Sequence, residues 1–316
     1  MTPEPGVPSC HNVFLLAGPT ASGKSEVALL LAEFSGAEIV SVDSMQVYRG
    51  LDIGTAKPGA ADRSRVPHHL LDVVGPDEPF DAARWLEAAR AVVAEIQRRR
   101  RPVILCGGTG LYFSAWLGRL DPLPASDPHL RAELEALPLD ILLSELADRD
   151  PETFASIDRR NPRRVVRAVE LLRLTGKPLG RRRAPLQAPV GVRVHVLQRE
   201  PADLRRRIEA RVDAMFDRGW VEEVRALAGS GLGASRSPLQ AIGYRQILEH
   251  LRGERDLAST VALIKTRTWQ FARRQMTWFR NQLPVQWLDV GPEESPDRIA
   301  DRLRVILAAE GWPLMR

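Results

Sequence analysis

The chain has 316 residues, 44% of them hydrophobic, with 45 Lys and Arg against 40 Asp and Glu. This is the size and composition of a soluble globular protein with one large or two modest domains. No apolar run approaches the roughly 20 residues that cross a bilayer, and residues 1–10 lack the charged and apolar parts of a secretory signal. We therefore expect a cytoplasmic protein without a membrane span. The two cysteines, Cys10 and Cys106, exclude a disulfide scaffold and a cysteine-based zinc finger.

Four short aliphatic runs predict buried strands, at residues 13–17, 38–42, 103–106 and 192–197. Helical patterns at residues 24–34 and 82–98 lie between the first three of them. Strands that alternate with helices are typical of a parallel sheet covered on both faces. The fold class is therefore α/β, with a P-loop NTPase-like parallel sheet covered by helices.

The alternation stops between residues 121 and 189, where prolines punctuate short helical stretches. We interpret this region as a mainly helical insertion domain. The catalytic core then consists of residues 1–120 and 190–316. After the strand at 192–197 the pattern predicts helices to the end of the chain, at residues 202–218, 221–228, 239–251 and 259–282.

The first strand leads into a segment that fits the phosphate-binding pattern G-x-x-x-x-G-K-[ST] and opens the first helix. In such a loop, backbone N–H groups converge on phosphate oxygens at a helix N-terminus. Lys24 supplies a positive charge, and the Ser25 hydroxyl can ligate a Mg²⁺ ion that bridges phosphates. The pattern indicates phosphate binding more strongly than it indicates ATP. The candidate phosphate-binding residues are Gly18, Pro19, Thr20, Ala21, Ser22, Gly23, Lys24 and Ser25.

Asp43 directly follows the second predicted strand, 18 residues after Ser25. No lysine follows an asparagine, which excludes the guanine-reading segment of GTPases, and the third strand ends in a glycine-rich turn without an acid. Because ligands bind at the carboxyl ends of parallel strands, we expect Asp43 and Thr109 to face the same crevice as the P-loop. Asp43 can hold a group that itself ligates a magnesium ion, act as a general base or cap the following helix. Thr109 can be a substrate contact or a simple turn residue.

Further motifs occur in order along nearly the whole chain. They are SVDSMQVY at 41–48, DIGTAKP at 52–58, PHHLLD at 67–72, GGTGLY at 107–112, NPRRVVRA at 161–168, AIGYRQ at 241–246 and RRQMTWF at 273–279. Together with the P-loop, these motifs resemble the bacterial tRNA dimethylallyltransferase (isopentenyltransferase) family. The segment at 52–58 is far more specific than the P-loop.

The resemblance implies that the P-loop, with Mg²⁺, holds the diphosphate of dimethylallyl diphosphate. The acceptor is then the exocyclic amine of the adenosine on the 3′ side of the anticodon, tRNA position 37. Asp43 matches the family's general base, and Thr109 matches a substrate contact. The family pattern L-x-x-R-I-E-x-R implies that Arg207 grips the diphosphate, with Arg211 as second choice, although a solvated arginine face on a helix is the alternative for both. The implied catalytic residues are Asp43, Lys24, Thr109 and Arg207.

The distribution of charge independently favours a polyanionic partner. Residues 159–183 carry ten basic residues and one acid, a net charge of +9, whereas the rest of the chain sums to −4. Such a basic strip is typical of nucleic-acid binding. We expect the anticodon stem-loop of tRNA as partner and a monomeric protein. The implied tRNA-binding residues are Asp43, Ser44, Met45, Gln46, Thr109, Arg131, Arg163, Arg164, Val165, Val166, Arg167, Gly243, Tyr244, Arg245, Arg273, Arg274 and Arg280.

Two other classes share the P-loop. A small-molecule kinase is disfavoured because nothing resembles an arginine-rich lid over ATP, and because the basic insertion is larger than a small acceptor needs. A non-catalytic RNA-binding protein that uses a nucleotide as a switch is disfavoured by Asp43, which follows closely behind an intact P-loop.

Overall fold

A computed structural model of the chain describes residues 12–119, 124, 126–180, 192–229, 232 and 238–312. The chain divides into two compact units, the first formed by Met1–Leu117 with Ala188–Arg316 and the second by Gly118–Gln187. The second unit and the predicted insertion, residues 121–189, share most of their residues. Within the described residues, no helix has both the length and the apolar character that a bilayer span requires.

The first unit is built on a six-stranded parallel sheet with the strand order β3-β2-β4-β1-β5-β6. The strands are β1 (Val13–Ala17), β2 (Glu38–Val42), β3 (His68–His69), β4 (Val103–Gly107), β5 (Val194–Arg199) and β6 (Val285–Val290). The α/β fold class is confirmed. The prediction of helices to the end of the chain is wrong, because β6 pairs with β5 along its whole length. β6 is an edge strand in which three of six residues are half-buried and one is exposed, and it lacks the continuous apolar run that marks a buried strand.

Helices cover both faces of this sheet. In chain order the helices are α1 (Lys24–Ser35), α2 (Ala60–Arg65), α3 (Ala82–Arg98), α4 (Gly110–Trp116), α5 (Pro128–Ala136), α6 (Leu139–Arg149), α7 (Pro151–Ser156), α8 (Pro162–Thr175), α9 (Pro201–Asp217), α10 (Trp220–Gly229), α11 (Tyr244–Leu251), α12 (Leu257–Gln282) and α13 (Pro296–Ala309). Leu16 and Ile104 pack under α1 and α13, whereas Leu15 and Leu105 pack under α3, α4 and α12. Neighbouring residues of one strand thus serve opposite apolar layers.

A third apolar cluster joins α9, α10, α11 and α12 to residues 47–56. Its centre is the buried ring of Trp220, which leaves no room for a side chain at Gly54 or Gly243, since an added Cβ would lie 2.4 and 2.1 Å from ring atoms. Gly243 also has a φ of 104°, which favours glycine. The helix predicted at 239–251 is therefore broken, and α11 begins only at Tyr244.

The second unit contains α5 to α8, packed around Leu134, Leu146, Val165 and Val169. Three of its prolines occupy the first turn of a helix, directly after a capping side chain, in the pairs Asp127–Pro128, Asp150–Pro151 and Asn161–Pro162. Proline is tolerated there because the first N–H groups of a helix have no intrahelical partner. The prolines that interrupt the sequence pattern therefore start these helices.

Candidate active site

Three neighbouring strands bring the predicted site residues to one edge of the sheet. Gly107 of β4 is in register with Ala17 of β1 on one side and with Val42 of β2 on the other. The residues that follow each strand are Gly18, Asp43 and Gly108, which therefore emerge at the same level. The P-loop, Asp43 and the glycine-rich turn therefore lie at one edge of the sheet, the edge at which the carboxyl ends of parallel strands bind ligands.

The P-loop is held in its curved form by its own backbone. Ala21 and Gly23 have φ values of 63° and 95°, and the Pro19 carbonyl accepts hydrogen bonds from the Ser22 N–H at 3.2 Å and the Lys24 ammonium at 3.2 Å. Helix α1 has no side-chain cap. Its first N–H groups, at Lys24 and Ser25, therefore remain available for an anion.

A cavity of about 410 Å³ lies against this loop. Its lining residues are Ala21, Gly23, Lys24, Ser25, Glu26, Ala56, Arg207, Ala210 and Arg211. Sequence reasoning missed Glu26, Ala56 and Ala210, and both arginines considered for the diphosphate lie here. Other predicted site residues are not in this lining, namely Gly18, Pro19, Thr20 and Ser22 of the loop, and Asp43 and Thr109, which were expected to face the same crevice.

The cavity is strongly cationic. Burial lowers the pKa of Lys24, and the charge of Arg211 adds to this, whereas Cys106 and Asp43 act in the opposite direction. Burial also lowers the pKa of Arg211, again opposed by Asp43. The carboxylate of Asp43 is thus electrostatically coupled to Lys24 and Arg211. We call the start of α1 with Lys24, Arg207 and Arg211 the phosphate cradle. Burial raises the pKa of the Cys106 thiol to about 12, so this thiol is neutral and unreactive at neutral pH.

The Asp43 carboxylate is oriented by the backbone that follows it. Its Oδ1 accepts hydrogen bonds from the N–H groups of Met45 at 2.8 Å and Gln46 at 3.4 Å, so Asp43 does cap a turn, one of the three roles considered for it. In the part of the chain that the structure describes, Oδ2 has no hydrogen-bond partner. One oxygen fixes the carboxylate and the other remains for chemistry.

Thr109 is bonded to both neighbours of Asp43. Its N–H donates to the Val42 carbonyl at 3.1 Å, and its hydroxyl oxygen accepts from the Ser44 N–H at 3.1 Å. The predicted tRNA-binding residues Ser44, Met45 and Gln46 are all partly exposed, but the Gln46 amide oxygen accepts from the Ser41 hydroxyl at 2.9 Å. The Gln46 side chain is thus held within the fold.

The motif at 52–58 folds around two charged residues that sequence reasoning gave no role. The buried Lys57 ammonium donates to Asp52 and Asp72, each at 2.6 Å. Glu223 of α10 accepts from the backbone N–H of Ile53 at 2.6 Å and from the hydroxyl of Tyr244 at 2.7 Å. This network fixes the segment that contributes Ala56 to the cavity.

Arg199 and Gln275 brace the P-loop from outside. The buried Arg199 donates to the Ser22 carbonyl at 2.9 Å and pairs with Asp203 at 3.0 Å. Gln275 of α12 accepts from the Thr20 N–H at 3.0 Å. The sequence carries no local signal for either contact, because the strand predicted at 192–197 stops before Arg199 and the motif that contains Gln275 does not indicate its partner.

In the second unit, the predicted tRNA-binding residues have very different surroundings. Arg163 and Arg164 are exposed, and no described residue forms an ion pair with either side chain. Val165 and Val166 lie in the apolar core, so their side chains are not on the surface. Arg167 pairs with the buried Glu170 at 2.8 Å. Arg131 pairs with Glu135 at 3.3 Å, and Arg181, Arg182 and Arg183 of the basic strip lie outside the described residues.

The remaining predicted tRNA contacts lie in the first unit. Arg273, Arg274 and Arg280 are exposed on α12, and Arg245 is exposed on α11. Tyr244, in contrast, is fully buried. Gly243 is held against the Trp220 ring. These last two residues therefore support the fold around residues 52–58 and present no side chain to a surface.

The cavity lining includes two oxygen-bearing side chains that could contribute to a magnesium site. Ser25 and Glu26 line the cavity, and Mg²⁺ is usually held by one or two protein oxygens together with phosphate oxygens and water. Among the described residues, no three His, Cys, Asp or Glu side chains form a preformed metal cage. The Ser25 hydroxyl and the Glu26 carboxylate are oxygen donors of the kind that Mg²⁺ takes.

Comparison with known proteins identifies the family. Residues 46–282 match the family model of the IPP transferases. The chain is 46% identical over 281 residues to tRNA dimethylallyltransferase 1 of Citrifermentans bemidjiense, covering 88% of this chain and 92% of that protein. It is 45% identical over 307 residues to the tRNA dimethylallyltransferase of Stenotrophomonas maltophilia strain K279a, covering 92% and 96%.

Solved structures agree with this relationship. The tRNA isopentenylpyrophosphate transferase of Bacillus halodurans superposes with a TM-score of 0.71 at 35% identity, covering 94% of this chain and 96% of that one. A eukaryotic dimethylallyltransferase acting on tRNA superposes with a TM-score of 0.82 at 25% identity, covering 96% of this chain and 81% of that one. With its P-loop, Asp43 and glycine-rich turn at one sheet edge, the chain belongs to the IPP transferase family, together with the bacterial tRNA dimethylallyltransferases.

Proposed function

We propose that this protein transfers a dimethylallyl group from dimethylallyl diphosphate to the N6 amine of the adenosine at tRNA position 37, giving N6-(dimethylallyl)adenosine. The observation that carries the proposal is the register of β1, β4 and β2, which sets a cationic phosphate cradle beside a carboxylate with one unpaired oxygen. Its relatives carry the name tRNA dimethylallyltransferase, which supports this donor and this acceptor.

The cradle binds and stabilises the diphosphate. The N–H groups at the start of α1, the Lys24 ammonium and the guanidinium groups of Arg207 and Arg211 surround the cavity. The Arg207 Nε donates to the Ala21 carbonyl at 3.1 Å, which leaves its terminal nitrogens for phosphate oxygens. Negative charge accumulates on the diphosphate as it leaves, and fixed donors stabilise such charge most when it develops.

Asp43 acts as the general base. As the N6 nitrogen of adenine bonds to C1 of the dimethylallyl group, the bond between C1 and the diphosphate oxygen breaks. The diphosphate leaves with that electron pair, and the N6 proton passes to Asp43 Oδ2. The two N–H groups bonded to Oδ1 keep this carboxylate oriented. An aromatic amine is a weak nucleophile, so a positioned base accelerates the attack.

A magnesium ion would be held by Ser25 together with the diphosphate oxygens. When bound, it neutralises charge on the leaving diphosphate. Thr109, bonded to the backbone on both sides of Asp43, keeps the base at the level of the substrate.

The acceptor adenosine lies in an RNA loop, where a base can be unstacked at modest cost. Exposed arginines can supply phosphate contacts to tRNA within each unit, namely Arg163 and Arg164 on α8 of the second unit and Arg273, Arg274 and Arg280 on α12 of the first. We propose that the protein works as a monomer in the cytoplasm, where tRNA is available.

The test is a transfer assay. The protein is incubated with Mg²⁺, an unmodified tRNA that has adenosine at position 37, and dimethylallyl diphosphate labelled in the allyl group. A matched tRNA with guanosine at position 37 is the control. Label should enter only the adenosine-37 tRNA, as N6-(dimethylallyl)adenosine in the digested RNA. Absence of label, together with phosphate release from ATP, would overturn the proposal in favour of a kinase.

A further inference from the structure

Gln275 of α12 connects two loops of the site that are far apart in the sequence. Its side chain is buried, with 8% of its surface exposed. Its Oε1 accepts from the Thr20 N–H at 3.0 Å, and its Nε2 donates to the Gly108 carbonyl at 2.9 Å. Both partners are backbone groups, so one amide satisfies a P-loop donor and an acceptor of the glycine-rich turn.

The glycine-rich turn is shaped to receive this amide. A Cβ at Gly108 would lie 2.4 Å from the Gln275 Nε2. A Cβ at Gly110 would lie 2.1 Å from the ring of Trp278, which follows Gln275 by three residues and so lies on the same side of α12. The turn thus needs glycine at two positions because α12 approaches it closely, and the Gln275 hydrogen bond lies at the centre of this contact.

From Gly108 the connection continues to the base. Thr109 is the next residue, and it bonds to Val42 and Ser44 on either side of Asp43. Thr20, which donates to the other end of the Gln275 amide, belongs to the P-loop and directly precedes Ala21, the first residue of the cavity lining. The Gln275 amide therefore links the P-loop to the glycine-rich turn, and Thr109 of that turn continues the link to the residues on either side of Asp43. We call this amide link the tie.

We infer that Gln275 is a positioning residue that sets the distance between the diphosphate cradle and Asp43. This inference rests on the proposed function. In a transfer reaction the rate depends steeply on how well donor carbon, acceptor amine and base are aligned, and a misplacement of about 1 Å costs on the order of 10²-fold in rate. Each substrate still binds its own loop when the tie is lost, but the two loops no longer hold a fixed separation.

The first experiment uses Gln275→Met, which keeps the length of the side chain and removes both hydrogen bonds. Gln270→Met, at an exposed position of the same helix, is the matched control. At saturating concentrations of both substrates, kcat of Gln275→Met should fall by about tenfold or more. The Kd values for dimethylallyl diphosphate alone and for tRNA alone should stay within about threefold of wild type. An unchanged kcat, or a loss confined to KM or Kd, would overturn the inference.

A second pair of variants separates positioning from a general loss of packing. Gly108→Ala places a methyl group against the same amide, so it should lower kcat in the same way. If both substitutions act by breaking the same Gln275–Gly108 contact, kcat of the double variant is no lower than that of the slower single variant. If the two reductions in kcat multiply, the substitutions act independently, which contradicts a shared contact. Should Gln275→Met not fold, as judged by its thermal transition, Gln275→Glu serves instead, because it keeps the acceptor for Thr20 and sets a carboxylate against the Gly108 carbonyl.

The outcome for wild type separates the two claims. Wild-type protein that transfers no label to tRNA overturns the proposed function itself. Wild-type protein that transfers label, with Gln275 variants that transfer it equally fast, overturns only the positioning role.

Discussion

The arginines of the phosphate cradle and the arginines of helix α8 differ in how the protein holds their guanidinium groups. Arg207 and Arg211 line the cavity beside the P-loop, and the Arg207 Nε donates to the Ala21 carbonyl at 3.1 Å. Arg163 and Arg164 are exposed and have no ion-pair partner within the described residues. Oriented guanidinium groups can bind one small anion in one geometry, whereas mobile, solvated ones attract a polyanion by charge density and in a salt-dependent way.

Helix α8 also shows why charge counted along a sequence overstates charge available to a ligand. Arg167 pairs with Glu170, and Arg173 pairs with Glu145 at 2.6 Å. The strip of +9 at residues 159–183 therefore contains arginines that already serve the fold. We expect a salt dependence of tRNA binding well below the one that the full strip would give.

The largest expected effect is at the base. Asp43→Asn keeps an oxygen for the turn but removes the proton acceptor, so kcat should fall by about 10²-fold to 10⁴-fold, with tRNA affinity nearly unchanged. Steady-state transfer assays and a tRNA binding titration measure the two quantities. Asp297→Asn, an exposed acid of α13, is the control. A parallel loss of tRNA affinity would make Asp43 a binding residue.

The next effect separates the oriented arginines from a solvated helix face. Arg207→Gln and Arg211→Gln should each lower kcat/KM for dimethylallyl diphosphate by roughly 10²-fold, because each removes a fixed donor to the leaving group. Arg205→Gln is the matched control, since Arg205 lies on the same helix α9 but is exposed and paired with Glu209. Equal losses in all three variants would contradict the distinction.

A smaller effect is expected on α8. The double variant Arg163→Gln with Arg164→Gln should weaken tRNA binding and lower the slope of log K against log salt by about 1 to 2, since two phosphate contacts are lost. The control is Arg98→Gln with Arg100→Gln, a pair of exposed arginines in the first unit. An unchanged slope in the α8 variant would refute a phosphate-contact role.

The smallest effect concerns stability of the second unit. Burial alone would raise the pKa of Glu170, but hydrogen bonds from Ser126 and Arg167 and the charge of Arg167 lower it overall. The carboxylate therefore stabilises the fold above its unfolded pKa, and this contribution is lost as the pH falls through the folded pKa. Glu170→Gln should cost about 1 to 3 kcal/mol at neutral pH and flatten the acid dependence in urea unfolding, whereas the exposed Glu133→Gln should not.

Patterns in the sequence predicted those elements of the site whose structure depends on residues close to one another along the chain. β1, β2 and the start of α1 were predicted within the observed bounds, because each follows from a short apolar run or from the P-loop pattern. The edge strand β6 and the break before α11 were missed, since both depend on packing against distant elements.

For the same reason, the sequence did not predict the residues that hold the P-loop from outside, Gln275 and Arg199. Gln275 lies 255 residues from Thr20, and Arg199 lies 177 residues from Ser22. A sequence pattern does not record such contacts. It also does not record that Val165, Val166 and Tyr244 are buried, although they lie within motifs implied to contact tRNA.

In the proposed mechanism, the phosphate cradle with Asp43 performs the chemistry and the exposed arginines bind the RNA. Single-turnover transfer at saturating tRNA tests this division most directly. Asp43→Asn should remain slower than wild type by about 10²-fold or more, however much tRNA is present. The Arg163→Gln/Arg164→Gln variant should approach the wild-type rate once tRNA is saturating, because its loss lies in binding. The opposite result, with the arginine variant slow at saturation and Asp43→Asn restored by excess tRNA, would contradict the account.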